Sequence, residues 1–159
     1  MAIVGGDVWQ HGKGTVKTNI YIDGEVISLL TPEHHEASEV VDAKGLLVLP
    51  GLIDTHSHHR DPGLTHKEDA RSATAAAAAG GVTVTMAMPN VIPPTADVET
   101  FQAQIENYSQ KALVDWNINP SASDPAILAD LAALGCLAFK VYMVVDSKRP
   151  YPHMPALGI

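Results

Sequence analysis

Pro50-Gly51-Leu52-Ile53-Asp54-Thr55-His56-Ser57-His58-His59-Arg60-Asp61-Pro62-Gly63 begins as an apolar strand and ends in a polar loop dense in charged and metal-capable groups. Side chains two apart on a strand point to the same face, so His56 and His58 can converge on one ion. An H-x-H pair alone is equally compatible with two exposed or hydrogen-bonded histidines. The chain downstream bears on that choice.

Thr65-His66-Lys67-Glu68 reads as a capping box opening a helix that runs through Ala79 and stops at Gly80-Gly81. The run Ala75 to Ala79 reads as a smooth, high-propensity face for close packing on a sheet. Val82 to Met88 is a second strand with Pro89 to Thr95 as its loop. A helix from about Asp97 to Lys111 and a strand from Leu113 to Ile118 follow. Asp124-Pro125 is a cap and first position for a helix ending at Gly135, and Leu137 to Val145 is a fourth strand. The order is βαβαβαβ at roughly 30 residues per unit, which implies parallel strands with helical crossovers. The expected class is α/β: the N-terminal part of a TIM-like (β/α)8 barrel, about four strands. Residues 51–159 are fewer than half of the about 250 that a complete barrel uses, so the barrel is expected to be truncated. In such folds ligands gather at the C-terminal ends of strands, where His56, His58, Asn90 and Lys140 fall.

Upstream, residues 1–50 read as a small β-rich segment. Val16, Thr18, Ile20 and Ile22 alternate with Lys17, Asn19 and Tyr21, the period of one half-buried strand. Asp23-Gly24 between two apolar runs predicts a tight hairpin with a type I′ turn. Leu46 to Leu49 is a further short strand. His34 and His35, beside Pro32, Glu33 and Glu36, are expected to face solvent.

The hydrophobic fraction of 46% with 18% charged residues argues for a packed core. A net charge of −8 leaves no basic stripe for nucleic acid. Cys136 is the sole cysteine, so no intrachain disulfide is expected. No signal-peptide pattern and no apolar run of membrane-spanning length occur, and the expected setting is cytoplasmic.

Lys140 lies in Leu137-Ala138-Phe139-Lys140-Val141-Tyr142-Met143. Burial there would lower its pKa and leave a neutral amine able to add carbon dioxide as a carbamate. The alternative is a strand-end lysine reaching out to solvent. Arg60 offers a planar fork for a carboxylate, or a simple pair with Asp61. Asn90 offers a donor and an acceptor to a ligand, or is a turn residue. His59 has the wrong strand parity for a ligand and His66 sits at a helix start. Asp54 shares the parity of His56 and could orient a ligand, or is a polar strand end. Asp146 and His153 read as loop residues.

Val41-Asp42-Ala43-Lys44-Gly45 with Leu49-Pro50-Gly51-Leu52-Ile53-Asp54-Thr55-His56-Ser57-His58 resembles the entry to the amidohydrolase superfamily barrel. The stretch His56 to Gly63, Lys67-Glu68-Asp69, Gly80-Gly81-Val82-Thr83 and Met88-Pro89-Asn90 with Pro93-Pro94-Thr95 resemble its dihydroorotase, allantoinase and hydantoinase group. Phe139-Lys140-Val141-Tyr142-Met143 resembles that group's carboxylated-lysine strand. The likeness covers nearly the whole chain. It implies two divalent metal ions, zinc being the best guess, with His56 and His58 on one and carboxylated Lys140 bridging to the second. A bridging hydroxide would attack the ring amide carbon of a small cyclic amide. Arg60 and Asn90 match positions that hold the substrate carboxylate in dihydroorotases. Hydantoinases usually lack this arginine and carry a tyrosine beyond the lysine, where this chain has Val144 and Val145. The group also uses later histidines and an aspartate general base on strands not present here. A companion C-terminal chain and a homo-oligomer are therefore expected, with the 159 residues inactive alone. The competing expectations are an allantoinase- or hydantoinase-type enzyme, a non-catalytic half-barrel module, and a metal-free α/β binding domain.

Overall fold

The computed structural model describes residues 1–143. The chain divides into two compact units that meet at Pro50 and Gly51.

The first unit holds seven short strands: β1 (Ala2–Val4), β2 (Asp7–Gln10), β3 (Gly14–Lys17), β4 (Asn19–Asp23), β5 (Val26–Thr31), β6 (Val40–Asp42) and β7 (Leu47–Val48). They form a four-stranded sheet in the order β5-β4-β1-β6 and a three-stranded sheet in the order β3-β2-β7. Two expectations change. The alternating run from Val16 to Ile22 is not one strand, because the chain leaves one sheet and enters the other at buried Thr18. Strict alternation survives such a step when each half keeps its own inward face. The hairpin slips by one residue as well: Asp23 pairs with Val26, so Gly24-Glu25 is the loop. Gly24 has φ 60° while Glu25 stays on the negative side, the pattern with glycine at the first central position rather than type I′. His34 and His35 are exposed as expected.

The second unit alternates strand and helix: β8 (Leu52–Ser57), α1 (Ala70–Ala79), β9 (Val82–Ala87), α2 (Val98–Lys111), β10 (Asp115–Ile118), a 3-10 turn at Pro125–Ile127 and α3 (Leu128–Ala133). The three strands pair in parallel in the order β10-β9-β8. Helix α1 starts later than Thr65-Glu68 suggests. Asp69 is its N-cap, accepting from the Ser72 amide at 2.7 Å, while the Asp69 amide donates to Ser72 Oγ at 3.0 Å. A carboxylate acceptor with a hydroxyl three residues on satisfies the same two amides as the Thr/Glu pattern. Its packing face is also displaced: Ala70, Ala73 and Thr74 are buried, whereas Ala75, Ala76, Ala78 and Ala79 are exposed. Helix α2 begins after Asp97, which accepts from the Thr100 amide at 2.8 Å. Asp124 accepts from the Ala126 amide at 2.9 Å ahead of Pro125.

Phe101, Tyr108, Ile118, Leu131, Ala70 and Ala87 form the buried core, with Trp116, Ile105 and Phe139 packed against it. Leu52, 54% exposed, and Ile53, 61% exposed, lie on β8, which pairs on one side only among the described residues. The fourth strand expected from Leu137 to Val145 is present over its described part only as a parallel bridge, Lys140 opposite Ser121. Val144, Val145, Asp146 and His153 lie outside the described residues. Among the described residues no helix is long and apolar enough to cross a membrane.

Candidate metal and substrate site

The C-terminal ends of the three parallel strands carry the candidate residues. At the end of β8 the His56 and His58 rings lie with centroids 5.2 Å apart in an edge-on arrangement. The same-face reading of H-x-H therefore holds. Asp54 orients the backbone rather than a ring. Its carboxylate accepts from the His56 amide at 3.0 Å and from Ser57 Oγ at 2.6 Å. Those bonds, the Ser57 hydroxyl first, hold its pKa below the ordinary carboxylate value.

Asn90 follows β9 in a buried turn and is itself only 6% exposed. The Met88 amide donates to Ser57 O at 2.8 Å, which ties this turn to the end of β8. Asn90 Oδ1 then lies 2.6 Å from His58 Nδ1. Lys140 enters beside the end of β10, its amide donating to Pro120 O at 2.8 Å and its carbonyl accepting from the Ala122 amide at 2.9 Å. It is half-buried, with Nζ 5.4 Å from the Tyr142 ring centroid.

Asn90, Arg60, His56 and Lys140 all act on the His58 ring. Burial lowers its pKa most, the Asn90 hydrogen bond opposes that, and the positive charges of Arg60, His56 and Lys140 lower it further. Arg60 sits in the left-handed region at φ 60°, the one such non-glycine residue among those described. A conformation of that kind costs about 1–3 kcal/mol and is kept where surrounding structure demands it. Asp61 does not pair with Arg60. It is buried against Lys111 Nζ at 2.8 Å and accepts from the Ala70 amide at 3.1 Å. No ion pair engages the Arg60 guanidinium among the described residues.

His59, set aside by strand parity, is a core residue: it is buried and stacks on Tyr108 with centroids 5.6 Å apart. Burial lowers its pKa. Two polar residues escaped the sequence reading. Asn119 and Ser121 are buried just past β10, and Asn119 Oδ1 and Ser121 Oγ have no hydrogen-bond partner among the described residues. The available signal was Asn119-Pro120-Ser121 directly after an apolar strand, the same grammar as Met88-Pro89-Asn90. A cleft of about 330 Å³ lies on the β8 and α1 side of this unit, lined by Asp54, His56, His58, Glu68, Ala73 and Ala77 among others, and neither Asn90 nor Lys140 lines it. Among the described residues no group of three or more His, Cys, Asp or Glu side chains gathers that could hold a metal ion.

Comparison with known proteins follows the same stretch. The family model described as dihydro-orotase-like matches residues 45–145. The dihydroorotase of Lactobacillus gasseri is 38% identical over 135 residues, 83% of this chain and 31% of that protein. The dihydroorotase of Methanothermobacter thermautotrophicus is 38% identical over 125 residues, 79% of this chain and 29% of that protein. Among solved structures, the L-hydantoinase of Arthrobacter aurescens superposes with a TM-score of 0.85 at 23% identity, covering 96% of this chain and 34% of that one. The dihydropyrimidinase of Brevibacillus agri gives 0.81 at 25%, covering 98% and 35%. The chain thus spans about a third of the length of the relatives it matches and has the fold of the first part of their barrel. With the family model matched over well more than half of its length, the chain belongs to the dihydroorotase-like family of cyclic amidohydrolases.

Proposed function

We propose that this chain supplies the first strands of a metal-dependent hydrolase that opens a cyclic amide, dihydroorotate being the favoured substrate. The observation that carries the reading is the pair of neighbouring His56 and His58 rings, 5.2 Å apart, with Asn90 Oδ1 2.6 Å from His58 Nδ1. In this reading residues 1–50 belong to a β-sandwich domain and residues 51–159 to the barrel. A cytoplasmic setting accords with the single cysteine.

The donor set fits divalent ions, preferably zinc: two adjacent imidazoles suit it, and manganese or iron fit as well. Bound ions would polarise the amide carbonyl and lower the pKa of water. His56 and His58 would hold one ion in this assignment. Lys140 would serve as a carbamate, formed where its deprotonated amine adds carbon dioxide and releases a proton, and would supply an anionic oxygen ligand. Arg60, with no acidic partner among the described residues, holds the substrate carboxylate through its planar fork, and Asn90 donates to it from the facing turn. The general base is not among these residues and is assigned to later strands of the barrel.

The deciding experiment combines this chain with a polypeptide bearing the later strands and follows ring opening of dihydroorotate, allantoin and hydantoin. Dihydroorotate should turn over fastest, and Lys140→Ala should lower the rate by about 10²–10³-fold, the scale of losing a principal electrostatic group. Full activity in that variant overturns the assignment. A second reading, a non-catalytic half-barrel that binds a partner, is favoured by the exposed edge of β8. It predicts association without turnover.

A further inference from the structure

Asn90 Oδ1 can only accept a hydrogen bond, so the 2.6 Å contact requires the proton on His58 Nδ1. A neutral imidazole protonated at Nδ1 presents its remaining lone pair at Nε2. We propose that Asn90 is a positioning residue for His58: it fixes the Nδ1–H tautomer and ring orientation, so that Nε2 alone is available to a metal ion. The role is distinct from its assigned contact with substrate, because the two ends of the amide divide the work. Oδ1 is committed to His58, which leaves Nδ2, the donor end of the amide, for a carboxylate.

The amide can hold this position because its own turn is fixed. Asn90 is nearly fully buried, the Val91 and Thr95 amides both donate to Pro89 O at 3.0 and 3.2 Å, and Met88 is bonded to Ser57 O. A hydrogen bond from a fixed turn to a ligand imidazole is the usual device for setting which nitrogen binds metal. It also couples two functions in one side chain. Loss of Asn90 should weaken metal binding even with no substrate present, which a purely substrate-contacting residue would not do.

The metal part of this inference rests on the proposed function, whereas the tautomer part does not, and one experiment separates them. Two-bond nitrogen–proton correlation spectra of the metal-free 159-residue chain at about pH 8, where imidazoles are neutral, report the His58 tautomer directly. His58→Gln identifies the signal. The expected result is Nδ1–H in the wild type, a shift toward Nε2–H in Asn90→Leu, and restoration in Asn90→Asp, whose carboxylate still accepts. Zinc titration of the same three proteins should show about 10–100-fold weaker binding for Asn90→Leu alone. An Nε2–H wild type, or a tautomer unmoved in a folded Asn90→Leu, overturns the proposal. A wild type that binds no zinc yet keeps Nδ1–H upholds the positioning of His58 and overturns the metal reading instead.

Discussion

Asp61 carries a negative charge into a site that is 2% exposed, directly after the residue assigned to grip substrate. Burial pushes its pKa up, but the Lys111 ammonium, the Ala70 amide and Asn107 together outweigh that and leave it below the ordinary value. Its folded pKa thus lies under the unfolded one, near 3.9 for a free aspartate. The stability it supplies is complete above that range and disappears as pH falls through the folded value. Chemical denaturation of the wild type should therefore show stability dropping between about pH 5 and pH 2, and Asp61→Asn should flatten the slope. At neutral pH the same variant should cost about 1.5–3 kcal/mol, the size of a hydrogen bond to a charged group. Arg60 predicts a different readout. In the reconstituted enzyme Arg60→Ala should raise KM for dihydroorotate about 10–100-fold, from the lost charged hydrogen bonds, and leave hydantoin, which lacks the carboxylate, nearly unchanged. Equal losses on both substrates would remove Arg60 from carboxylate binding.

At the level of elements, α1 hangs on one cap. Asp69→Ala should cost about 1 kcal/mol in thermal or chemical denaturation, whereas Thr65→Ala, outside the helix, should cost far less. That comparison also marks where the sequence was legible. The strand–helix order, the parallel pairing and the Asp97 and Asp124 starts could be read because apolar period and cap chemistry are local signals. The start of α1 could not, since Thr65-x-x-Glu68 and Asp69-x-x-Ser72 offer the same chemistry four residues apart. The choice falls to Asp61, whose carboxylate fixes the Ala70 amide across the loop. Likewise nothing local distinguished one strand from two at Thr18. In the candidate site, the nearness of the His56 and His58 rings was legible from their spacing, and the burial of His59 against Tyr108 was not, because it depends on a helix some fifty residues downstream.

At the scale of the molecule, β8 pairs on one side only among the described residues and carries exposed apolar side chains there, and such edges recruit partners. Sedimentation of the isolated chain should show concentration-dependent association, reduced by Ile53→Lys, and a monomer at all concentrations would count against the edge as a contact. The loop after β8 and the turn after β9, by contrast, are already closed on one another. The Ile92 amide donates to Pro62 O at 3.1 Å, and Gln104 of α2, 1% exposed, donates to Asp61 O at 3.3 Å while its other amide atom meets Thr95 Oγ1. Gly63, at φ 82°, faces the Ile92 carbonyl so closely that any Cβ would lie 2.2 Å from its oxygen. Arg60 and Asn90 are thus carried by segments that a single helix residue staples together. In a lineage of such proteins these positions would not drift one at a time. A change at 63 should appear together with one at 92, and a change at 95 with one at 104, so the pattern of joint substitution becomes a record of these contacts, written in the sequences themselves.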